Sequence, residues 1–209
     1  MMLCDKYRPK SLDEVFGQGP AVRVLQSFGD DHGGKAYWIT GKSGTGKTTL
    51  AYLIANAIAD PLCVEEYDAG QITAAMVWEI DRRLAMRGLG KAGRAIIVNE
   101  AHGLRKDSIR GLLVALEHIP RHAVYVFTTT QAGERALFEE KIDASPLVSR
   151  CIPIRLSMSL DAAAQRVMRI AQAEGLDGQP FAAYLALAKK HDGNVRGMLS
   201  DVQGGAMLG

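Results

Sequence analysis

Through most of the chain, unbroken apolar runs alternate with stretches in which apolar residues recur every three or four positions. An unbroken run predicts a strand buried on both faces, and the three-to-four repeat predicts a helix with one buried stripe. Strands are accordingly expected at 36–40, 62–67, 95–98, 123–127 and 151–156. Helices are expected at 21–28, at 49–59, and on two stripes: Ile72, Met76, Ile80, Leu84, then Ile109, Leu112, Leu113, Leu116. Gly29 and the polar loop 30–34 should end the first helix, Asp60-Pro61 the second, and Gly88 is placed to cap the third. Pro153 cannot donate to a ladder, so the last strand belongs at an edge. Beyond residue 156 no strand pattern remains, and alanine-rich helical patterns follow at 160–174, 180–190 and 194–202. The expected fold is α/β: a parallel sheet flanked by helices over 1–156, then a small three-helix domain over 157–209. The tail 204–209 is expected to be loose.

Between the first strand and the second helix lies Gly41-Lys42-Ser43-Gly44-Thr45-Gly46-Lys47-Thr48, which fits the phosphate-loop pattern G-x-x-x-x-G-K-[ST] without mismatch. A strand feeding a glycine loop that opens a helix is the context this pattern requires. Glycines let successive backbone N–H groups turn inward to phosphate oxygens, and the helix N-terminus adds unpaired donors and a positive dipole end. Lys47 is placed to reach the β- and γ-phosphates, Thr48 to ligate Mg²⁺ through its hydroxyl, and Thr49 to continue the helix beside them. Ahead of the loop, Arg8-Pro9 disfavours helix, and Ser11 followed by Glu14 has the spacing of a capping box. The N-terminus therefore reads as an extended arm leading into one helical turn.

Composition narrows the classes. A hydrophobic fraction of 47% and a charged fraction of 23% are those of a soluble globular protein, and no apolar run approaches the ~18 residues of a membrane span. The N-terminus has no apolar signal core, and Cys4, Cys63 and Cys151 lack metal-like spacing, so free thiols in a reducing cytoplasm are expected. A net charge of +2 leaves any nucleic-acid contact to a local patch.

Hydrolysis of a bound nucleotide needs more than a phosphate loop: a group that orients the metal, a base for water, and positive charge on the γ-phosphate. The strand at 95–98 runs into Asn99-Glu100-Ala101-His102, where Glu100 is placed as the base; His102 is given no role.

With these residues in hand, the chain resembles the clamp-loader AAA+ ATPases. Residues 6–18 resemble their N-terminal box, Asn99–His102 their Asp-Glu-Ala-Asp/His box, and residues 101–117 the helix that follows it. Ser149-Arg150-Cys151 matches their Ser-Arg-Cys signature, and Asp192-Gly193-Asn194-Val195-Arg196 resembles their second sensor. The motifs run in family order over nearly the whole chain. The resemblance implies that Tyr7, Arg8, Pro9, Val15, Phe16 and Gly17 flank the adenine of ATP. It further implies that Thr130, or Thr129 before it, positions the attacking water, that Arg196 reaches the γ-phosphate from a helical lid, and that Arg150 is an arginine finger acting on a neighbouring AAA+ subunit. DNA inside a spiral of such subunits touches two helices per subunit; the matching helices carry Arg82, Arg83, Arg87 and Arg105, Lys106, Arg110.

The chain departs from the family pattern at several points. Asn99 stands where the family has aspartate, which keeps an acceptor oxygen beside Mg²⁺ but not the charge; restoring aspartate is expected to tighten Mg²⁺ and raise turnover. Cys63 alone cannot build the zinc insert of bacterial relatives, and the chain ends after the lid, without the helical collar that holds the family's rings together. The function implied is an Mg–ATP-dependent ATPase coupled to assembly on DNA, with a sliding clamp among its partners. A Holliday-junction branch-migration motor shares the N-terminal box, but Ser149-Arg150-Cys151 favours the clamp loader; a non-hydrolysing assembly subunit is the alternative that Asn99 favours.

Overall fold

The structure is a computed structural model, describing residues 1–29, 31–140 and 144–209. Asp30, within the expected polar loop, lies outside the described residues. The chain divides into two compact units: one of Val24–Gly41 with Lys47–Arg155, the other of Met1–Arg23, Lys42–Gly46 and Leu156–Gly209. The first 23 residues and the loop thus group with the C-terminal helices, where the sequence assigned everything up to 156 to the sheet domain.

In chain order the helices are α1 (Leu3–Lys6), α2 (Gly19–Gln26), α3 (Lys47–Ile58), α4 (Ala74–Leu84), α5 (Lys106–Ala115), α6 (Gln131–Glu140), α7 (Ala144–Ser149), α8 (Leu160–Ala173), α9 (Phe181–Lys190) and α10 (Val195–Gln203). The strands are β1 (Lys35–Gly41), β2 (Val64–Asp68), β3 (Arg94–Asn99), β4 (Ala123–Thr129) and β5 (Ile152–Leu156).

The sheet has the order β2-β3-β4-β1-β5, so the proline-bearing strand is terminal. The described ladders are parallel, with Trp38 opposite Phe127, Val98 opposite Phe127 and Asp68 opposite Asn99. β4 is buried along its whole length because helices cover both faces. One face carries Trp38, Ile96, Val98, Tyr125 and Phe127, packed with Val77 and Ile80 of α4, Ile109 and Leu112 of α5, Leu137 of α6 and Leu147 of α7. Burying side chains of this size contributes on the order of 1.5–3 kcal/mol each. The opposite face takes α3, which rests on β3 and β4 through Leu50, Ala51, Ile54 and Ala55.

Two elements shift from expectation. Pro61 opens a 3₁₀ turn, Pro61–Cys63, so the strand starts only at Val64 and Leu62 is exposed. Helix α4 begins after Thr73, whose hydroxyl accepts from Met76 N, and buries Val77 where the expected stripe had Met76. It ends at Leu84 with Ala85 as cap; Gly88 lies beyond it. Sequence periodicity missed α6 and α7, because each offers the core so few apolar side chains: Leu137 from one, Ala144 and Leu147 from the other.

In the other unit, α8, α9 and α10 pack around Val167, Tyr184, Met198 and Val202, joined by Leu3 of α1. The short α1 was not expected; Leu3 N donates to Gln203 Oε1, which fixes it. The tail is not loose: Met207 is buried and its carbonyl accepts from Gly178 N. The expected capping box does not form. Ser11 makes no side-chain cap, and Glu14 accepts from Lys10 N instead.

Candidate functional site

β1 ends at Gly41 and α3 opens at Lys47, so the five residues Lys42–Gly46 form the connector. Gly44 and Gly46 have φ of +76° and +97°, a region costly for any residue with a Cβ. At Gly44 space adds to conformation, since a Cβ there would overlap Asn194 Oδ1. Thr45 braces the turn, its hydroxyl donating to Lys42 O at 2.8 Å. Gln18, buried and given no role from sequence, donates to Thr45 O at 3.3 Å and accepts from Ser157 N at 3.1 Å. Lys47 is 8% exposed and its ammonium donates to Gly41 O at 3.0 Å. A buried ammonium needs such partners. Ser43 is exposed, and Thr48 and Thr49 are half-buried in the first turn of α3.

Lys42 forms an ion pair with Asp192 at 2.8 Å. Asp192 and Gly193 are both left-handed, with φ of 49° and 75°, and Asn194 then caps α10 by accepting from Gly197 N. Arg196 follows in the first turn of α10, exposed and without a hydrogen bond or ion pair among the described residues. A cation in a first helical turn faces the positive end of the dipole, so nothing local favours it there.

The N-terminal box packs on α8 and its C-terminal end. Tyr7 Oη and Lys6 Nζ both donate to Glu174, which holds the Glu174 carboxyl below its ordinary pKa and raises that of Tyr7. Arg166 donates to Tyr7 O, and the Arg169 guanidinium lies 5.3 Å over the Phe16 ring. Arg8 pairs with Asp5, Pro9 and Val15 are half-buried, and Gly17, with φ of +74°, lies against Met158.

At the end of β3, both ends of the Asn99 side chain are engaged. Its Nδ2 donates to Glu66 on β2, and its Oδ1 accepts from Thr128 Oγ1 on β4 at 2.9 Å. Glu100 is left-handed (φ 50°, ψ 47°), a conformation that costs on the order of 1–3 kcal/mol for a residue with a side chain. Its half-exposed carboxylate lies 3.5 Å from His102 Nδ1, and the same nitrogen is 3.1 Å from Thr129 Oγ1. His102 therefore links the candidate base to the end of β4, a role sequence did not signal. Thr130 differs from expectation in its commitment: its hydroxyl accepts from Gly133 N and caps α6. Thr128, which sequence passed over, is the threonine hydrogen-bonded to Asn99.

Arg150 follows α7, where Nη2 pairs with Glu117 at 2.7 Å and Nη1 donates to Pro146 O. This pairing holds the Glu117 carboxyl below the usual range. Helices α4 and α5 lie side by side, Gly111 allowing close approach to Val77. Arg82, Arg87, Arg105, Lys106 and Arg110 are exposed on or beside them. Arg83 instead turns to the sheet edge, donating to Glu65 and to Tyr67 Oη.

The oxygen donors at hand, Thr48, Asn99 and Glu100, are hard ligands that suit Mg²⁺. Among the described residues no three His, Cys, Asp or Glu side chains gather into a metal cage. Mg²⁺ is ordinarily held by one or two side chains together with substrate phosphates, so this donor set fits it.

Solved structures of similar architecture include RuvB proteins: a Thermotoga maritima RuvB variant superposes with a TM-score of 0.74 over 95% of this chain and 65% of that one, at 24% identity. The fold is the AAA+ P-loop fold. Curated relatives include replication factor C small subunit of Haloarcula marismortui, 27% identical over 98% of this chain and 62% of the relative. DNA polymerase III subunit tau of Escherichia coli is 27% identical over 95% of this chain and 33% of the relative. The DNA polymerase III gamma/tau subunit of Mycoplasma pneumoniae is 31% identical over 62% and 22% respectively. In sequence, then, this chain resembles proteins of the clamp-loader type. It spans between 22% and 62% of the length of these curated relatives. No protein-family model matches it.

Proposed function

We propose that this chain is an AAA+ ATPase that binds Mg–ATP and hydrolyses it as a clamp-loader-type subunit, coupling nucleotide state to assembly on DNA. The observation that carries the reading is the loop itself: left-handed Gly44 and Gly46 leading into a buried Lys47 at the start of α3. The loop amides and the first turn of α3 cradle phosphate oxygens, and Lys47 exchanges its Gly41 carbonyl for the β- and γ-phosphates. Thr48, with Asn99 beside it, would hold Mg²⁺, which when bound would neutralise charge on the phosphates. Glu100 takes the proton of the attacking water, and Thr129 or Thr130 positions that water. Arg196 reaches the γ-phosphate, where the phosphate charge offsets its unfavourable place in the helix. Tyr7, Arg8, Pro9, Val15, Phe16 and Gly17 flank the adenine. Arg150 leaves Glu117 to act on nucleotide held by a neighbouring subunit. The exposed cations of α4 and α5 grip the DNA backbone, and a sliding clamp is the further partner.

A Lys47→Ala variant tests the reading by titration with a fluorescent ATP analogue. Binding should be abolished, and unchanged affinity would remove the phosphate-loop assignment. The second reading, a nucleotide-stabilised assembly subunit without turnover, is favoured by Asn99. Steady-state ATPase with and without primed DNA separates the two.

A further inference from the structure

The resemblance calls for a carboxylate at position 99, and this chain has one close by on the neighbouring strand. Glu66 pairs in register with Ile97, so strand alternation puts its side chain on the same face as Asn99. One Glu66 oxygen accepts from Asn99 Nδ2 and the other from Tyr52 Oη at 2.6 Å. Tyr52 comes four residues after Thr48 on α3, so the two side chains leave one side of the helix about 6 Å apart along its axis. Glu66 is exposed and makes no ion pair among the described residues. Its neighbour Glu65, facing the other side, is paired with Arg83. The sheet therefore neutralises one of two adjacent carboxylates and leaves the other with two neutral donors, on the face that carries Thr48.

We infer that Glu66 is the carboxylate of the metal site. It accepts hydrogen bonds from waters on the cation that Thr48 ligates, and Asn99 and Tyr52 are the positioning residues that hold it there. The donor set accounts for the asparagine: an amide at position 99 can donate to Glu66, whereas an aspartate could not. Charge-assisted hydrogen bonds to a carboxylate are roughly twice as strong as neutral ones, which is why the location of the charge matters for a hydrated ion.

The inference rests on the phosphate-loop reading, and its test separates the two. Mn²⁺ binding is followed by electron paramagnetic resonance in the presence of a non-hydrolysable ATP analogue, for the parent chain, Glu66→Gln, and Glu66→Gln/Asn99→Asp. The double variant swaps amide and carboxylate across the same hydrogen bond. Glu66→Gln should weaken Mn²⁺ by about tenfold or more, the usual loss when an outer partner of a metal is removed. Its metal-free nucleotide affinity should be unchanged, and the double variant should recover Mn²⁺ affinity. Equal Mn²⁺ affinity in the parent and Glu66→Gln overturns the inference while leaving nucleotide binding in place. Failure of the parent to bind the analogue at all overturns the phosphate-loop reading instead.

Discussion

Asn99→Asp looks from sequence like a gain, because it restores the carboxylate of the resembled family. For the stability of the metal-free fold, the hydrogen bonding at Asn99 points the other way. Asn99 Nδ2 donates to Glu66, so an aspartate would place two carboxylates in direct contact and delete a hydrogen bond to a charged acceptor. Unit charges 4 Å apart repel by about 1 kcal/mol at the dielectric of water and about 4 kcal/mol at an effective value of 20. Glu66 is exposed, so the lower figure applies. A hydrogen bond to a charged group contributes about 1.5–3 kcal/mol, less where water can replace it. Together the metal-free protein should lose about 2 kcal/mol, which for a chain of this length lowers Tm by about 4–8 °C. Thermal unfolding at neutral pH without divalent metal should show this loss for Asn99→Asp. Most of it should return in Asn99→Asp/Glu66→Gln, where the amide introduced on β2 can donate to the carboxylate introduced on β3. If Asn99→Asp melts with the parent, or if the second substitution restores nothing, the bridge between β2 and β3 is not what selects asparagine.

Further outcomes can be measured independently. Gly44→Ala should lose about 1–2 kcal/mol from the left-handed backbone alone, with more from overlap with Asn194, and should weaken nucleotide binding more than Gly29→Ala; a fluorescence titration compares them. Burial pushes the Cys151 thiol up to about 12, so a thiol reagent at pH 8 should label half-buried Cys4 well before Cys151, as read by peptide mass spectrometry. Asp201 is held below its ordinary value by Lys190 and His191; its stabilisation is present above the unfolded pKa near 3.8 and is lost as pH falls through the lower folded value. Asp201→Asn should therefore flatten the acid limb of a urea-midpoint profile and leave that limb unchanged only if these pairings contribute nothing. Lys47→Ala, as above, should eliminate ATP-analogue binding.

What the sequence determined by itself was local. The strand–helix alternation and the phosphate loop are legible because each depends on neighbours within a few positions: an apolar run, a glycine at a left-handed turn, a lysine at the first helical residue. The proline that marked β5 as a terminal strand is of the same kind. Helices α6 and α7 were illegible because they bury too few apolar side chains to set a period, and are held by what they pack against. The C-terminal tail looked loose from composition, yet Met207 is buried because α8–α10 leave a place for it. Among the chemical residues, only the tertiary structure could tell that Thr130 caps a helix while Thr128 meets Asn99, that Arg83 turns to Glu65, and that His102 stands between Glu100 and Thr129. Asn99 shows the division most clearly. Its chemistry is set by Glu66, 33 residues earlier in the chain and one strand away in the sheet, and pairing across strands is decided by register rather than by sequence neighbourhood.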